Sequence, residues 1–280
     1  MVTRKDYHKE AVDACLSVMM ELFTVLGEFR DHIVLVGGWV PYFLLDKHKD
    51  AHTGSLDIDI ALDNQAIPDD TYSTILQLLQ GYGYNQSNEQ PFIFYKEYQQ
   101  GESPTVTVQV DLLSSEYGGT SRTHRTQQVQ DAQPRKARGS DLAFDNFIEV
   151  QLAGRLPDGA YNEFRIKVAN VVPFLVMKGM ALWTSRKEKH PYDIYFIIRN
   201  YPGGNEALAG QFHPFLENRL VQEGLGKIRA KFTRLDAIGP VWIVNFESPD
   251  DEGEKDRLQR DAYERVNNFL DILGIDGFRE

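Results

Sequence analysis

Two periodicities divide this chain. Over residues 7–29 apolar side chains recur at helical spacing, with Val12, Leu16, Met19, Met20, Phe23 and Leu26 forming one stripe. Ile33-Val34-Leu35-Val36 is a short unbroken apolar run, as in a buried strand. It passes through Gly37-Gly38 into Trp39–Leu45, which reads as a helix; Pro41 is tolerable there because the first helical turn has no internal N–H partner. Residues 46–55 are polar and loop-like. Leu56–Asp63 then alternates, the period-two signature of a strand with one buried face. A helix follows over 69–80 with Tyr72, Ile75, Leu76 and Leu79, and then strands over 91–98 and 105–113. In the second of these Val106, Val108 and Val110 alternate with Thr107, Gln109 and Asp111.

The stretch 114–140 is polar, contains Gly118-Gly119 and Pro134-Arg135-Lys136-Ala137-Arg138-Gly139, and reads as a long loop or domain boundary. Beyond it, strands over 146–153 and 163–169 flank the turn Leu156-Pro157-Asp158-Gly159. Helices are expected over 173–186, 191–200, 205–220, 221–232 and 256–273, with Pro249–Glu254 an acidic surface loop. The order predicts an α+β fold: a mixed sheet with flanking helices over 1–140, followed by a mostly helical domain over 141–280.

Composition narrows the classes. The 280 residues are 42% hydrophobic and 25% charged, an ordinary globular balance that excludes global disorder. A single cysteine, Cys15, excludes an internal disulfide framework and a cysteine-built zinc site, and reads as a small core residue. No apolar h-region follows Met-Val-Thr-Arg-Lys-Asp and no run approaches ~20 apolar residues, so neither a signal peptide nor a membrane span is expected. These features predict a reduced, cytoplasmic protein. The charge, 30 Lys and Arg against 41 Asp and Glu for a net −11, disfavours coating nucleic acid by bulk electrostatics but leaves room for a local basic patch.

Three patterns carry chemistry. Asp57 and Asp59 sit at i and i+2 of a strand, on one face and roughly 6.5–7 Å apart, with Leu56, Ile58, Ile60 and Leu62 on the other. Two such carboxylates repel each other unless a cation lies between them, and hard divalent cations take oxygen ligands. A solvated strand edge decorated with acids has the same pattern. Asp111 stands off the core on another alternating strand; if the two strands are neighbours, three carboxylates converge as a two-metal phosphoryl-transfer site requires. Gly37-Gly38, between strand and helix, allows close backbone approach to a ligand.

Together these residues resemble the nucleotidyltransferase superfamily of DNA polymerase β. The resemblance rests on Val34-Leu35-Val36-Gly37-Gly38, Thr53-Gly54-Ser55-Leu56-Asp57-Ile58-Asp59-Ile60 and Val110-Asp111-Leu112, with Asp57 19 positions after Gly38. Pro173–Leu182, including Lys178, and Arg186-Lys187-Glu188-Lys189-His190-Pro191-Tyr192-Asp193-Ile194 narrow it to the AbiEii-type enzymes, toxins of abortive-infection and toxin–antitoxin systems. His52-Thr53-Gly54-Ser55 stands where those proteins often carry Arg-x-Ser. The resemblance implies a nucleotidyltransferase that moves NMP from an NTP to an acceptor hydroxyl, on tRNA or on an aminoglycoside-like small molecule, with a cognate antitoxin as partner. A non-catalytic nucleotide-binding regulator is the remaining alternative.

By the same resemblance, Asp57 and Asp59 bind two Mg²⁺ ions, and Asp111 completes the metal site and helps deprotonate the attacking hydroxyl. Gly37, Gly38 and Ser55 hold the triphosphate, Lys178 reaches it, and Asp193 orients Lys178. Read from the residues, Lys178 interrupts an apolar helix, where an unpaired cation would be costly, although a snorkelling lysine fits the same pattern. Asp193 is equally compatible with an acid stabilised near a helix N-terminus. Arg186, Lys187 and Lys189 read as a solvated helix end, with contact to an RNA phosphate or the nucleotide as the alternative; Arg135-Lys136-Ala137-Arg138 reads as a solvated loop, with contact to nucleic acid as the alternative; Trp39, Trp183 and Trp242 read as packing residues, Trp39 close enough to the Gly-Gly turn to border a nucleotide. No histidine spacing suggests a metal site.

Overall fold

The computed structural model describes residues 3–45, 52–67, 73–99, 101, 104–116 and 125–277. Tyr72 and Gly118-Gly119 lie outside these residues. The protein is α+β, with a mixed sheet, flanking helices and a helical C-terminal part. It divides into two compact units, one of Met1–Tyr7, Leu44–Thr53 and Val171–Glu280, the other of His8–Phe43 and Gly54–Asn170.

The sheet unit starts with α1 (Lys9–Val25), followed by β1 (Ile33–Val36), α2 (Val40–Leu44), β2 (Asp57–Leu62), α3 (Ile75–Gly81), β3 (Asn85–Gln86), β4 (Ile93–Tyr98) and β5 (Val106–Ser114). It is completed by β6 (Arg135–Lys136), α4 (Asp141–Asp145), β7 (Phe147–Arg155) and β8 (Tyr161–Ala169). The strand order is β3-β4-β5-β2-β1-β8-β7, with β6 pairing with β5 beyond the end of β4. β2 runs parallel to β5 and antiparallel to β1, and β1 runs parallel to β8. The compact unit therefore extends to Asn170 rather than to 140, because β7 and β8 continue the sheet that the earlier strands begin.

Local chemistry explains where elements begin and turn. α3 starts at Ile75 because Thr74 caps it: its hydroxyl accepts from the Gln77 N–H at 3.3 Å while the Gln77 side chain accepts from the Thr74 N–H at 3.1 Å. The β7–β8 hairpin closes through Gly159, whose φ of +88° suits a residue without Cβ. Arg135 and Lys136, expected in a solvated loop, form a short strand at the edge of β5.

The helical unit holds α5 (Val171–Thr184), α6 (Lys189–Asn200), α7 (Gly204–Phe212), α8 (Arg219–Lys231), α9 (Ile238–Glu247) and α10 (Glu252–Ile272). The helix expected over 205–220 is interrupted at His213–Phe215, where Pro214 has no N–H to continue it, and Asn218 caps α8 by accepting from the Leu220 N–H at 2.9 Å. α9 was absent from the expected elements; its Gly239-Pro240 start reads as a turn, but proline fits a first helical turn and Gly239 lies under the Phe232 ring. α6 touches α5, α7, α9 and α10, and its residues from Pro191 to Ile198 are all buried, as expected of a central helix. Among the described residues no helix is long and apolar enough to cross a membrane.

α5 and α8 cross at two glycines. A Cβ on Gly179 would collide with the Gly224 backbone carbonyl, and one on Gly224 would lie 2.9 Å from the Val176 Cα. Gly179→Ala should therefore cost about 1–3 kcal/mol or more in denaturant unfolding, since backbone has to move. Gly210→Ala, whose added methyl in the last turn of α7 meets no atom within 4 Å beyond the helix's own backbone, should be neutral or stabilising by about 0.4–1 kcal/mol.

Candidate active site

Strand register gathers the aspartates of the sheet unit. Asp59 pairs with Asp111 across β2 and β5, and Asp57 pairs with Gln109. Partners in a ladder share a face, as do residues two apart on one strand. Asp57, Asp59, Gln109 and Asp111 are thus neighbours on one face, while Ile58, Ile60, Val108, Val110 and Leu112 are buried on the other. Lys96 belongs to that second face and forms an ion pair with Glu21 of α1 at 2.7 Å, so α1 covers the side away from the aspartates.

On the other flank Val36 pairs with Asp59, which carries β1 straight into Gly37 beside that carboxylate. Gly37 has φ +74°, and a Cβ there would lie 2.6 Å from Asp59 Cγ and collide with its Oδ2. The glycine is required on both counts: its backbone occupies the left-handed region and its missing side chain is the space Asp59 fills. Gly38 and Trp39 are buried in the turn that follows.

Neutral donors hold two of the carboxylates. Ser55 Oγ, 2% exposed, donates to Asp57 Oδ1 at 2.5 Å, and Gln109 Nε2 donates to Asp111 Oδ1 at 2.8 Å. Ser55 therefore orients Asp57. Among the described residues no group of three or more His, Cys, Asp and Glu side chains is gathered as a ready-made metal cage. The donor set still suits a hard divalent cation: carboxylate oxygens on adjacent strands, with the Gly37 turn packed against one of them. Cys15 is buried in α1, and burial, with Asp57 and Asp59 adding to it, pushes its thiol well above the ordinary range, so it is inert.

The helical unit contains a second cluster. Asp193, on α6, has no exposed surface and accepts from Lys178 Nζ at 2.7 Å and from Lys189 Nζ at 2.8 and 3.0 Å. His52 Nε2 lies 3.1 Å from Asp193 Oδ1, with the His52 ring stacked on Tyr192 and edge-on to Phe196. Burial would raise the Asp193 carboxyl, but the two ammonium groups and the His52 hydrogen bond together hold it far below the usual range. Burial pushes His52 down to about 4, with Lys189 and Lys178 adding to the effect against the pull of Asp193. His52 is thus neutral at pH 7, and because a carboxylate only accepts, its proton sits on Nε2. His190 is pushed down to about 3 by burial and by Lys178.

Lys178 and Asp193 meet as expected, and Lys178 is a buried ion-pair partner rather than a snorkelling lysine. Lys189 is no solvated helix end: it is 9% exposed at the start of α6, where a cation opposes the helix dipole and Asp193, one turn on, offsets it. His52 and Lys189 were not among the expected site residues. The i, i+4 spacing of Lys189 and Asp193 was a readable signal; His52, 141 positions from Asp193, left none. Asp57, Asp59, Asp111, Gly37, Gly38 and Ser55 belong to the sheet unit, and Lys178 and Asp193 to the helical one.

No protein-family model matches this chain, and no curated protein matches it. A solved structure described as "Crystal structure of JHP933 from Helicobacter pylori" aligns over 95% of this chain and 94% of its own, at 11% identity and a TM-score of 0.46.

Two measurements check the buried cluster. His52 and His190 bind protons less readily folded than unfolded, so their contribution is fully present above about pH 6.5 and is lost as pH falls through the folded values of about 4 and 3. Unfolding midpoints should drop through that window by an amount on the order of 3 kcal/mol per histidine, and His52→Asn should flatten the slope. Asp193→Ala, which leaves two buried ammonium groups without their carboxylate, should cost about 3–5 kcal/mol at pH 7.

Proposed function

We propose that this chain is a Mg²⁺-dependent nucleotidyltransferase that transfers NMP from an NTP to an acceptor hydroxyl, as its resemblance to the AbiEii-type enzymes implies. The observation that carries the reading is the register that sets Asp59 beside Asp111, with Asp57 two residues away on the same face and Gly37 against Asp59. An acid-decorated strand edge needs no second aspartate strand in register and no glycine turn packed on the carboxylate.

In this reading Asp57, Asp59 and Asp111 hold Mg²⁺, which when bound neutralises charge on the attacking and leaving oxygens. Ser55 fixes Asp57, and Gln109 fixes Asp111. By the resemblance, the Gly37-Gly38 turn, packed against Asp59, would hold the triphosphate. The acceptor hydroxyl oxygen forms a bond to the α-phosphorus, the bond from that phosphorus to the β-phosphate oxygen breaks, and pyrophosphate leaves with both electrons. Asp111 takes the hydroxyl proton. Asp193 holds Lys178, to which the resemblance gives the role of a cation for the triphosphate. The chemistry is positioning and electrostatics, as in other phosphoryl transfers.

The test is incubation of the purified protein with each labelled NTP, Mg²⁺ and total RNA. Wild type should transfer label, and Asp59→Ala should lose about 10²-fold or more of that activity. Transfer that persisted unchanged in Asp59→Ala would show the metal site to be wrong. Wild type that bound NTP without any transfer would leave a binding protein.

A further inference from the structure

The two ends of the sheet are finished differently. At one end β3 has two residues, too few to template another strand. At the other stands β7, nine residues long and in unbroken register with β8 from Phe147↔Ala169 to Arg155↔Tyr161. Among the described residues no strand pairs with its outer side. Long edges are commonly blunted by proline, a bulge or an inward-pointing charge. β7 has no proline and no bulge. Its side toward α1, where a Cβ on Gly154 would lie 3.5 Å from Met20, holds only Ile148, Val150, Leu152 and Gly154.

The two ends of the β7–β8 hairpin show which backbone groups are open. The Leu156 N–H donates to the Ala160 carbonyl at 2.8 Å, and the Asn170 N–H donates to the Asn146 carbonyl at 3.0 Å. Even-numbered residues of β7 therefore turn their backbone groups to β8, and those of Phe147, Glu149, Gln151, Ala153 and Arg155 point outward. Glu149, Gln151, Ala153 and Arg155 are exposed. The Arg155 carbonyl accepts from Ser17 Oγ at 2.9 Å, and a carbonyl has a second lone pair.

This edge is complementary to itself. Antiparallel pairing about Leu152 sets outward residues against outward residues: Glu149 against Arg155 of a second copy, and Gln151 against Ala153, each twice across a two-fold axis. Unlike charges then meet at both ends. Both are lightly engaged within one copy, Glu149 with Arg165 at 3.7 Å and Arg155 with the Gly159 carbonyl at 2.9 Å. On the α1 side the same register sets Leu152 against Leu152, Val150 against Gly154 and Ile148 against Leu156, an apolar row. Centring on Gln151 would leave Glu149 opposite Ala153 with no cation.

We propose that β7 is a self-association edge, where two copies of this chain join antiparallel about Leu152 into one continuous sheet. The proposal is independent of the nucleotidyltransferase reading. The two-fold axis stands perpendicular to the sheet, so both aspartate faces lie on the same side, with β2 and its copy seven strands or about 33 Å apart.

The test is sedimentation velocity of the full-length protein across the micromolar range. Wild type should pass from monomer to dimer as concentration rises, since an interface of one strand pair is small. Glu149→Arg and Arg155→Glu should each weaken the dimer about tenfold, and the double exchange should return it to within about threefold of wild type. Gln151→Pro removes an outward N–H and no β7–β8 bond, and should abolish dimerisation. Cys15 is buried and is the one cysteine of the chain, so introduced thiols report cleanly. Oxidised Leu152→Cys should form a covalent dimer, because facing residues of that pair lie within disulfide reach, and Glu149→Cys should not. Thermal unfolding of each variant controls for folding. Wild type that stays monomeric throughout the range, a dimer indifferent to the charge exchanges and to Gln151→Pro, or cross-linking through Glu149→Cys in preference to Leu152→Cys overturns the proposal.

Discussion

The parallel pairing of β2 with β5 is the constraint on which the sheet unit depends. Both strands alternate between aspartate or glutamine and large aliphatic residues, and both must present the aliphatic set to α1. A one-residue slip of either strand would turn its carboxylates into that core, which is far costlier than any loss of ladder hydrogen bonds. Hydrophobic burial thus sets the register, and the register sets the spacing of the aspartates. The acidic face is a by-product of packing on its reverse side.

The two acidic centres solve the problem of charge in opposite ways. Asp57 and Asp59 remain half-buried and Asp111 is nearly covered, with a neutral hydroxyl donating to Asp57 and a neutral amide to Asp111. Asp193 is wholly buried and has two ammonium groups and an imidazole N–H around it. Its oxygens are spoken for, so it serves as an anchor that fixes Lys178 and Lys189, and it is no site for a metal. The same side chain is a ligand candidate in one place and a brace in the other because of what donates to it.

Much of this could be read from residues alone. Ile33–Val36, the alternation from Asp57 to Leu62 and that of the β5 valines are legible because each strand has one buried side, and period two is the direct imprint of that burial. That Lys178 needs a partner was legible because an unpaired cation in an apolar helix is costly; Asp193 as that partner came from the family resemblance. What the chain did not disclose was set by contacts between distant segments. His52 has a partner 141 positions away, Arg135 becomes a strand only because β5 extends past β4, and α9 hides behind a Gly-Pro that usually marks a turn. The expected boundary at 140 followed a polar stretch, whereas strand pairing carries the unit on to Asn170. Polarity marks exposure, but membership of a sheet is decided by its edges.

The helical unit is assembled from three separate lengths of chain. Its last and longest piece contains Asp193 and Glu247, but His52, which bonds the first, and Arg4, which pairs with the second at 2.9 Å, come from segments made long before. A ribosome releases residues 4 and 52 with nothing yet to receive them, and the whole sheet unit is synthesised in between. The sheet unit can condense on its own during that interval, while the helical unit has to wait for nearly the full chain. Cutting the protein after Asn170 would therefore not yield two working halves: the C-terminal fragment would carry a buried carboxylate deprived of its imidazole, and the N-terminal one would carry two loose ends made for something else.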